Sequence, residues 1–177
     1  MVEFKKSSAA ADRIPNVTLE GVRIIFRNFS GKEDQYNRAG DRNFAVLLTP
    51  EVASEMSSQG WNVKMLKPRE EGDDPQAYLP VAVSYKGRPP RVTMITSRGG
   101  TKLDEDDLQI LDWAEIRNVD LIIRPNVWAV NGNTGVKAYL QSIFVTIEED
   151  ELDLKYADIP EAPVPHGRLR ALHEDEE

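Results

Sequence analysis

The stretches "VDLIIRPNVWAV" (residues 119–130) and "VKAYLQSIFVTIEE" (residues 136–149) decide the fold. Both alternate apolar and polar residues with the period of two that is typical of a half-buried β-strand. Between them lies Asn131-Gly132-Asn133-Thr134-Gly135, and Asn and Gly are the residues that hairpin turns prefer. The sequence therefore predicts two antiparallel strands joined by a hairpin.

Shorter strand-like stretches precede this hairpin. They are "VTLEGVRIIFRNF" (17–29), "RNFAVLL" (42–48), "WNVKMLK" (61–67), "YLPVAVSYK" (78–86) and "RVTMITS" (91–97). Thr49-Pro50-Glu51 begins a short helix that ends at Gly60, and "TKLDEDDLQILDWAEI" (101–116) predicts a second one with acids at its N terminus. The pattern predicts a mainly β fold, an OB-fold-like antiparallel barrel with one or two short helices and flexible termini.

Composition restricts the class of protein. The 177 residues are 40% hydrophobic and 29% charged, which is ordinary for a globular domain. No run reaches the roughly 18 apolar residues of a membrane helix, so we expect no membrane partner. The chain has no cysteine, and therefore no disulfide framework or thiolate metal site.

Charge divides the chain into a neutral body and an acidic tail. Residues 1–147 hold 19 basic and 19 acidic residues, whereas residues 148–177 hold 3 basic and 11 acidic ones and so carry the whole net charge of -8. We expect a flexible arm over residues 1–15, a nucleic-acid-binding domain over 16–152 and a Pro-containing linker with the tail over 153–177. The tail either keeps the protein soluble, or competes with nucleic acid for a basic groove and recruits partners.

Catalytic signatures are weak. Both histidines, His166 and His173, lie in the tail, and no glycine-rich loop carries the Lys-Ser/Thr pair of a phosphate cradle. The sequence predicts no cofactor, no metal and no enzymatic activity. Acidic residues could in principle hold Mg²⁺ in a nuclease, or simply compensate a helix dipole; they are Asp104, Glu105, Asp106, Asp107 and Asp112.

Basic and aromatic residues instead form the pattern of a surface that binds single strands, where cations contact phosphates and aromatic rings stack on bases. The predicted phosphate contacts are Arg23, Arg27, Lys32, Arg38, Arg42, Lys64, Lys86, Arg88, Arg91, Arg98 and Lys102. The predicted stacking residues are Phe29, Tyr36, Trp61, Tyr85, Trp128 and Tyr139, with Trp61 and Trp128 equally compatible with the core.

Strand alternation assigns the faces of residues 21–29. It predicts Val22, Ile24 and Phe26 in the core and Arg23, Arg27 and Phe29 on the outward face. By the same reasoning, the apolar neighbours of Phe44 and Phe144 predict that both are core residues.

Three segments together resemble the single-stranded DNA-binding proteins of tailed bacteriophages: "VDLIIRPNVWAVNGNTGVKAYLQSIFVTIEEDEL" (119–152), "NVTLEGVRIIFRNFSGKEDQYNRAGDRNFAVLL" (16–48) and "KGRPPRVTMITSRG" (86–99). The resemblance covers roughly residues 16–152, and an acidic tail follows the barrel in that family too. It implies an oligonucleotide-binding fold and sequence-independent binding of single-stranded DNA. The tail ends in "HEDEE" without the terminal aromatic of relatives, although Leu169 and Leu172 could form a short docking helix.

The resulting hypothesis is a non-enzymatic protein that protects and organises single-stranded DNA during phage replication, recombination and repair, in the cytoplasm of the infected bacterium. Its expected partners are single-stranded DNA, replication proteins such as a polymerase or helicase reached through the acidic tail, and further copies of the chain. The alternatives are a structural or adaptor β-domain of the virion and a Mg²⁺-dependent nuclease.

Overall fold

The computed structural model describes residues 2–4, 14–68 and 70–165. Ten strands, β1 to β10, and three short helices account for most of them. The strands are Val2–Phe4, Val17–Val22, Ile24–Asn28, Arg42–Leu48, Lys64–Leu66, Gln76–Val83, Arg91–Thr96, Gly99–Leu103, Ile116–Val130 and Asn133–Ile147. The helices are α1 (Pro50–Ser58), a 3₁₀ helix (Glu105–Asp112) and α2 (Glu151–Lys155).

One bent segment, β2 and β3, brings the two ends of the main sheet together. The strand order is β1-β2-β9-β10-β6-β4-β3, and only Arg23 separates β2 from β3. Because β2 pairs with β9 and β3 pairs with β4, residues 17–28 connect these two strands, which otherwise lie far apart in the strand order. Five segments, β2 with β3, β4, β6, β10 and β9, therefore follow the pairing of a barrel, and β1, β5, β7 and β8 are added to it.

The prediction of a mainly β, OB-fold-like chain with short helices is confirmed. The sheet differs from the expectation in being mixed, since β10 runs parallel to both β6 and β7. The connecting segments between these strands and β10 are long enough to reverse direction, which a hairpin cannot do. The predicted flexibility of the termini concerns residues 1, 5–13 and 166–177, which lie outside the described residues.

The β9–β10 hairpin is longer and tighter than its sequence indicates. Each strand has fifteen residues, and the turn consists of Asn131 and Gly132 alone, with φ of 50° and 81°. These positive angles are those of a type I′ turn, whose twist matches that of the flanking strands. Asn133, Thr134 and Gly135 already belong to β10.

A bulge at Phe26 reverses the predicted faces of β3. The register of β3 and β4 shifts between Ile25 and Asn28, and Phe26 adopts a φ of 52°. Phe26 is therefore 60% exposed, whereas Phe29 is fully buried and stacks on Phe44 at a centroid distance of 5.1 Å. The expectations that Phe26 lies in the core and Phe29 on the surface are both wrong, because one extra residue changes the phase of alternation.

Three further segments depart from the sequence prediction. Val2–Phe4, expected in a loose arm, pairs with β2, and Gly99–Leu103 forms a strand that the sequence does not predict. The short helix predicted with its N terminus at the aspartates is present at Glu105–Asp112, but it is a 3₁₀ helix, and it buries Leu108 and Leu111. Phe144 is 47% exposed instead of buried, although its neighbours Ile143 and Val145 are in the core.

Helix α1 begins as predicted. The Thr49 side chain accepts a hydrogen bond from the Val52 amide, and Pro50 occupies the first turn. Among the described helices, none has the length and apolar character needed to cross a bilayer.

Candidate nucleic-acid interface

The outward face of β4 and β6 forms a floor of short side chains. Asn43 pairs with Ala82 and Ala45 with Pro80, so four short side chains lie side by side. The intervening residues, such as Phe44 and Val81, point inward and are buried. Short side chains on the outer face leave room for a ligand above the two strands.

A cleft of about 1080 Å³ opens at one end of this floor. Tyr85, Trp128 and Tyr139 contribute aromatic rings to its walls, and Lys86 and Lys137 contribute ammonium groups. Because β10 runs alongside β6, Tyr139 lies next to Ala82. This first cleft therefore combines rings and cations at the edge of the floor.

Two contacts orient the β10 side of the first cleft. Trp128 lies against Gly135, its partner across the hairpin, and a Cβ atom at position 135 would come within 2.5 Å of the indole. The Lys137 ammonium sits 5.3 Å from the centre of the Tyr139 ring, in a cation–π contact. Gly135 thus makes space for the indole, which is 40% exposed.

An ion pair lies in the wall of the first cleft. Arg42 Nη1 donates to Glu105 Oε1 at 2.9 Å, and the guanidinium is 5.7 Å from the centre of the Tyr85 ring. Arg42 Nε and the Tyr85 hydroxyl are buried without a hydrogen-bond partner among the described residues. Burial raises the pKa of Tyr85, so the phenol is neutral at physiological pH.

A second cleft of about 510 Å³ continues along the same floor. Phe26 and Tyr78 meet edge to face in its wall, with ring centroids 5.6 Å apart, and Tyr36 and Lys64 also line it. Three residues, Asn37, Asn43 and Pro80, line both clefts. The two clefts therefore form one joined groove across β4 and β6.

The β3–β4 loop (residues 29–41) closes over the point where the clefts meet. Its ends are held together by a hydrogen bond of 2.7 Å from the Gly40 amide to the Gly31 carbonyl. The Asp34 carboxylate accepts from the amides of Tyr36 and Asn37, and Asn37 Oδ1 accepts from Asn43 Nδ2 at 2.7 Å. The hydrogen bonds from the Tyr36 amide and from the side chain and amide of Asn37 lower the pKa of Asp34.

The groove gathers part of the predicted site. Eight predicted residues line one or other cleft: Arg27, Tyr36, Arg42, Lys64, Tyr85, Lys86, Trp128 and Tyr139. Seven predicted phosphate contacts lie outside both clefts: Arg23, Lys32, Arg38, Arg88, Arg91, Arg98 and Lys102. The predicted cations therefore fall into two groups, those that line the groove and those that lie outside it.

Two predicted stacking residues require correction. Phe29 belongs to the core for the reason given above, and Trp61 is 3% exposed. Trp61 is held next to Val136 by an isolated bridge, and its indole nitrogen donates to Gln59 Oε1. Neither ring offers a face to a ligand.

The guanidinium group of Arg27 is already hydrogen-bonded within the protein. Its Nη1 donates to the carbonyls of Leu111 and Ala114 at 2.9 and 2.7 Å. The guanidinium therefore satisfies the C-terminal end of the 3₁₀ helix, although the residue also lines the second cleft. A phosphate would have to share this cation with two carbonyl groups.

Sequence reasoning missed Lys137 and misplaced Phe26. Lys137 is two residues from Tyr139 on a predicted strand, so alternation alone places both on one face. Phe26 could not have been found this way, because its exposure depends on the bulge.

The acidic residues around the 3₁₀ helix have separate structural contacts. The Asp112 carboxylate accepts hydrogen bonds from the amides of Phe29 and Ser30, and Glu105 pairs with Arg42. Within the described ranges, no group of three or more potential ligands is arranged to hold a metal ion.

The fold is similar to solved structures of a phage protein. The single-stranded DNA-binding protein from bacteriophage Enc34 in complex with ssDNA has a TM-score of 0.54 at 9% identity, over 84% of this chain and 97% of that chain. A structure of the same phage protein described without ssDNA has a TM-score of 0.53 at 10% identity, over 89% and 98%. At these identities the likeness shows the fold.

Sequence comparison identifies the family. No curated protein matches the sequence. A family model described as "Putative phage ssDNA-binding domain" matches residues 7–169, which is nearly the whole chain. The chain therefore belongs to the family of phage single-stranded DNA-binding domains.

Proposed function

We propose that this chain binds single-stranded DNA without sequence preference, and that the joined groove holds the strand. The observation that supports this most directly is the continuous floor of small residues flanked by rings and cations. In barrels of this type, the face of the second and third strands, together with the adjoining loops, is where oligonucleotides bind. Here those strands are β4 and β6.

The chemistry of the groove suits an unpaired strand. Trp128, Tyr139 and Tyr36 offer rings on which bases stack, at about 1–3 kcal/mol each. Lys64, Lys86 and Lys137 contribute charge for the phosphates. Stacking uses the face that every base has, so this arrangement binds without reading sequence.

The wider role follows from family membership. We propose a non-enzymatic protein that coats exposed strands in the cytoplasm of an infected bacterium, during DNA replication, recombination or repair. Contacts with a polymerase or helicase through the acidic tail, and self-association, belong to the same proposal.

Fluorescence titration with oligo-dT and with a matched duplex tests the binding mode. We expect preference for the single strand, and affinity that falls steeply with salt because bound cations displace counterions. Lys86→Ala should weaken binding and reduce the salt slope by about 0.7, whereas Lys67→Ala, at an exposed site outside both clefts, is the matched control.

Equal affinity for duplex and single strand at low salt would contradict the proposal. Retention of the protein in purified virions without DNA binding would instead favour the structural or adaptor function. Cleavage of DNA with Mg²⁺ that is abolished by Asp107→Ala would favour the nuclease.

A further inference from the structure

We infer that the bound strand continues beyond the joined groove, along the outward face of β10, and that Phe144 is a further base-stacking residue. This inference rests on the proposed function. It concerns a surface that includes several predicted cations outside the groove.

The outward face of β10 is continuous from the first cleft to Phe144. Tyr139 lines the first cleft. A bulge between Leu140 and Ser142 shifts the alternation of β10 by one residue, so that Leu140 before it and Ile143 after it both point into the core. Since Ile143 and Val145 are fully buried, Ser142 and Phe144 face outward, as Tyr139 does. At about 3.3 Å per residue, Phe144 lies roughly 15 Å along the strand from Tyr139.

Cations border this path on both neighbouring strands. Arg124 is paired with Tyr139 on β9, and its Nη2 lies 3.4 Å from the Arg88 carbonyl. On β7, Arg91 is paired with Ser142 at the point where the path leaves the cleft. Side chains of paired residues lie on the same face of a sheet, so these guanidinium groups border the strand that leads to Phe144.

A third cation lies two strands away from Phe144. Thr93 of β7 is paired with Phe144, and Lys102 of β8 is paired with Thr93. The residue on the other side, Asp120, uses its carboxylate to accept a hydrogen bond of 2.8 Å from the Gly21 amide. Phe144 is thus flanked by the short side chains of Thr93 and Asp120, which leaves its ring 47% exposed.

The occupant that fits this face is the same DNA strand. The guanidinium groups of Arg124 and Arg91 border the path that leads from the adjoining groove to the exposed ring of Phe144, and Lys102 lies two strands away from it. A single strand of DNA alternates phosphates with bases, and it therefore binds where cations and an aromatic ring lie close together. The seven cations that lie outside the groove include two that the extended path uses, Arg91 and Lys102.

Binding of oligo-dT of graded length, from about 4 to about 16 nucleotides, tests the inference. We expect Phe144→Ala to bind the shortest oligonucleotides as the natural chain does, and to lose roughly tenfold in affinity for the longest ones. Phe144→Tyr should restore the long-oligonucleotide affinity, whereas Phe144→Leu should not. Lys102→Ala should reduce the salt slope by about 0.7 for long oligonucleotides alone.

Trp113→Ala is the matched control, because Trp113 is 72% exposed and lies outside both clefts and outside β10. Unchanged affinity of Phe144→Ala at every length would overturn the inference while leaving the groove intact. Failure of the natural chain to bind any oligonucleotide would overturn the proposed function instead. A change in the sedimentation of DNA-free Phe144→Ala would identify the face as a contact between copies, and would also overturn the inference.

Discussion

At the scale of single residues, Glu105 decides how much positive charge the first cleft offers to a phosphate. Its carboxylate is bound to Arg42, and the side chain of Arg42 is only 19% exposed. An approaching phosphate would compete with this carboxylate for the same guanidinium group. Glu105 therefore occupies a position that an anion of the ligand could take.

We predict that Glu105→Gln tightens binding of oligo-dT by about two- to fivefold at low salt, because it removes a negative charge from the cleft. The gain should shrink as salt rises. The free energy of unfolding should fall by about 1 kcal/mol or less, because the Glu105 side chain is 48% exposed and the amide oxygen of Gln can still accept a hydrogen bond from Arg42. Asp106→Asn, on the same helix but outside the clefts, is the control, and equal effects of both changes would contradict the assignment.

Phe26 and Phe29 have opposite environments despite their similar sequence context. We predict that Phe29→Ala lowers the free energy of unfolding by about 3–5 kcal/mol, since it leaves a cavity beside Phe44. Phe26→Ala should cost about 1 kcal/mol or less, because the ring is exposed and its backbone is strained at positive φ. Urea denaturation measures the free energy of unfolding of both variants. A larger loss of stability for Phe26→Ala than for Phe29→Ala would contradict the bulged geometry.

These residues also show which side chains strand alternation assigns to the correct face and which it does not. Alternation correctly predicted Val22 and Ile24 on the core side of the strand, because both lie between the register shift that follows Leu19 and the bulge at Phe26. It failed from Phe26 onward, since a bulge adds one residue and no motif at that position announces it. Phe144 was misplaced for another reason: its apolar neighbours indicate a core strand but not which face is turned outward.

At the scale of elements, the β3–β4 loop shapes the groove. Its turn depends on Asp34, which holds the amides of Tyr36 and Asn37, and Asn37 in turn reaches the floor at Asn43. Sequence identified the loop and Tyr36 within it. The side-chain bonds that fix its shape needed the structure, because they join residues of the loop to the floor of the groove.

We predict that Asp34→Ala weakens oligo-dT binding several-fold, with little change in thermal stability, because the loop no longer presents Tyr36 in one conformation. Since the pKa of Asp34 is lowered in the folded chain, its contribution is present above the ordinary carboxyl pKa of about 4 and is lost as pH falls through the folded value. Binding should therefore not depend on this group between about pH 5 and pH 8.

Glu33→Ala is the control, because Glu33 lies exposed in the same loop and outside both clefts. An equal loss of oligo-dT affinity in the two variants would show that the charge of the loop, rather than its shape, affects binding.

At the scale of the whole molecule, the acidic C-terminal segment lies close to the outer sheet. The amide and hydroxyl of Ser97 donate to the Glu149 carboxylate, and Arg98 pairs with Glu161 at 2.9 Å. Both side chains of the latter pair are well exposed, so the contact is easily exchanged. The final acids, and Leu169 and Leu172, lie outside the described residues.

We predict that deletion of residues 153–177 tightens binding of oligo-dT by several-fold at low salt, because the segment carries net negative charge that competes with phosphates. The effect should disappear at high salt, where screening removes the competition. Unchanged affinity at low salt would show that the tail keeps the protein soluble without covering the binding surface.

The central claim, that the joined groove holds the strand, is tested most directly by tryptophan fluorescence. The chain has three tryptophans: Trp61 is buried, Trp113 is exposed away from the groove, and Trp128 lines the first cleft. In a Trp113→Phe variant, we predict that oligo-dT quenches the remaining emission and that adding Trp128→Phe abolishes the quenching, because base stacking takes place on that indole. Quenching that persists without Trp128, or that is absent while DNA is bound, would contradict the claim.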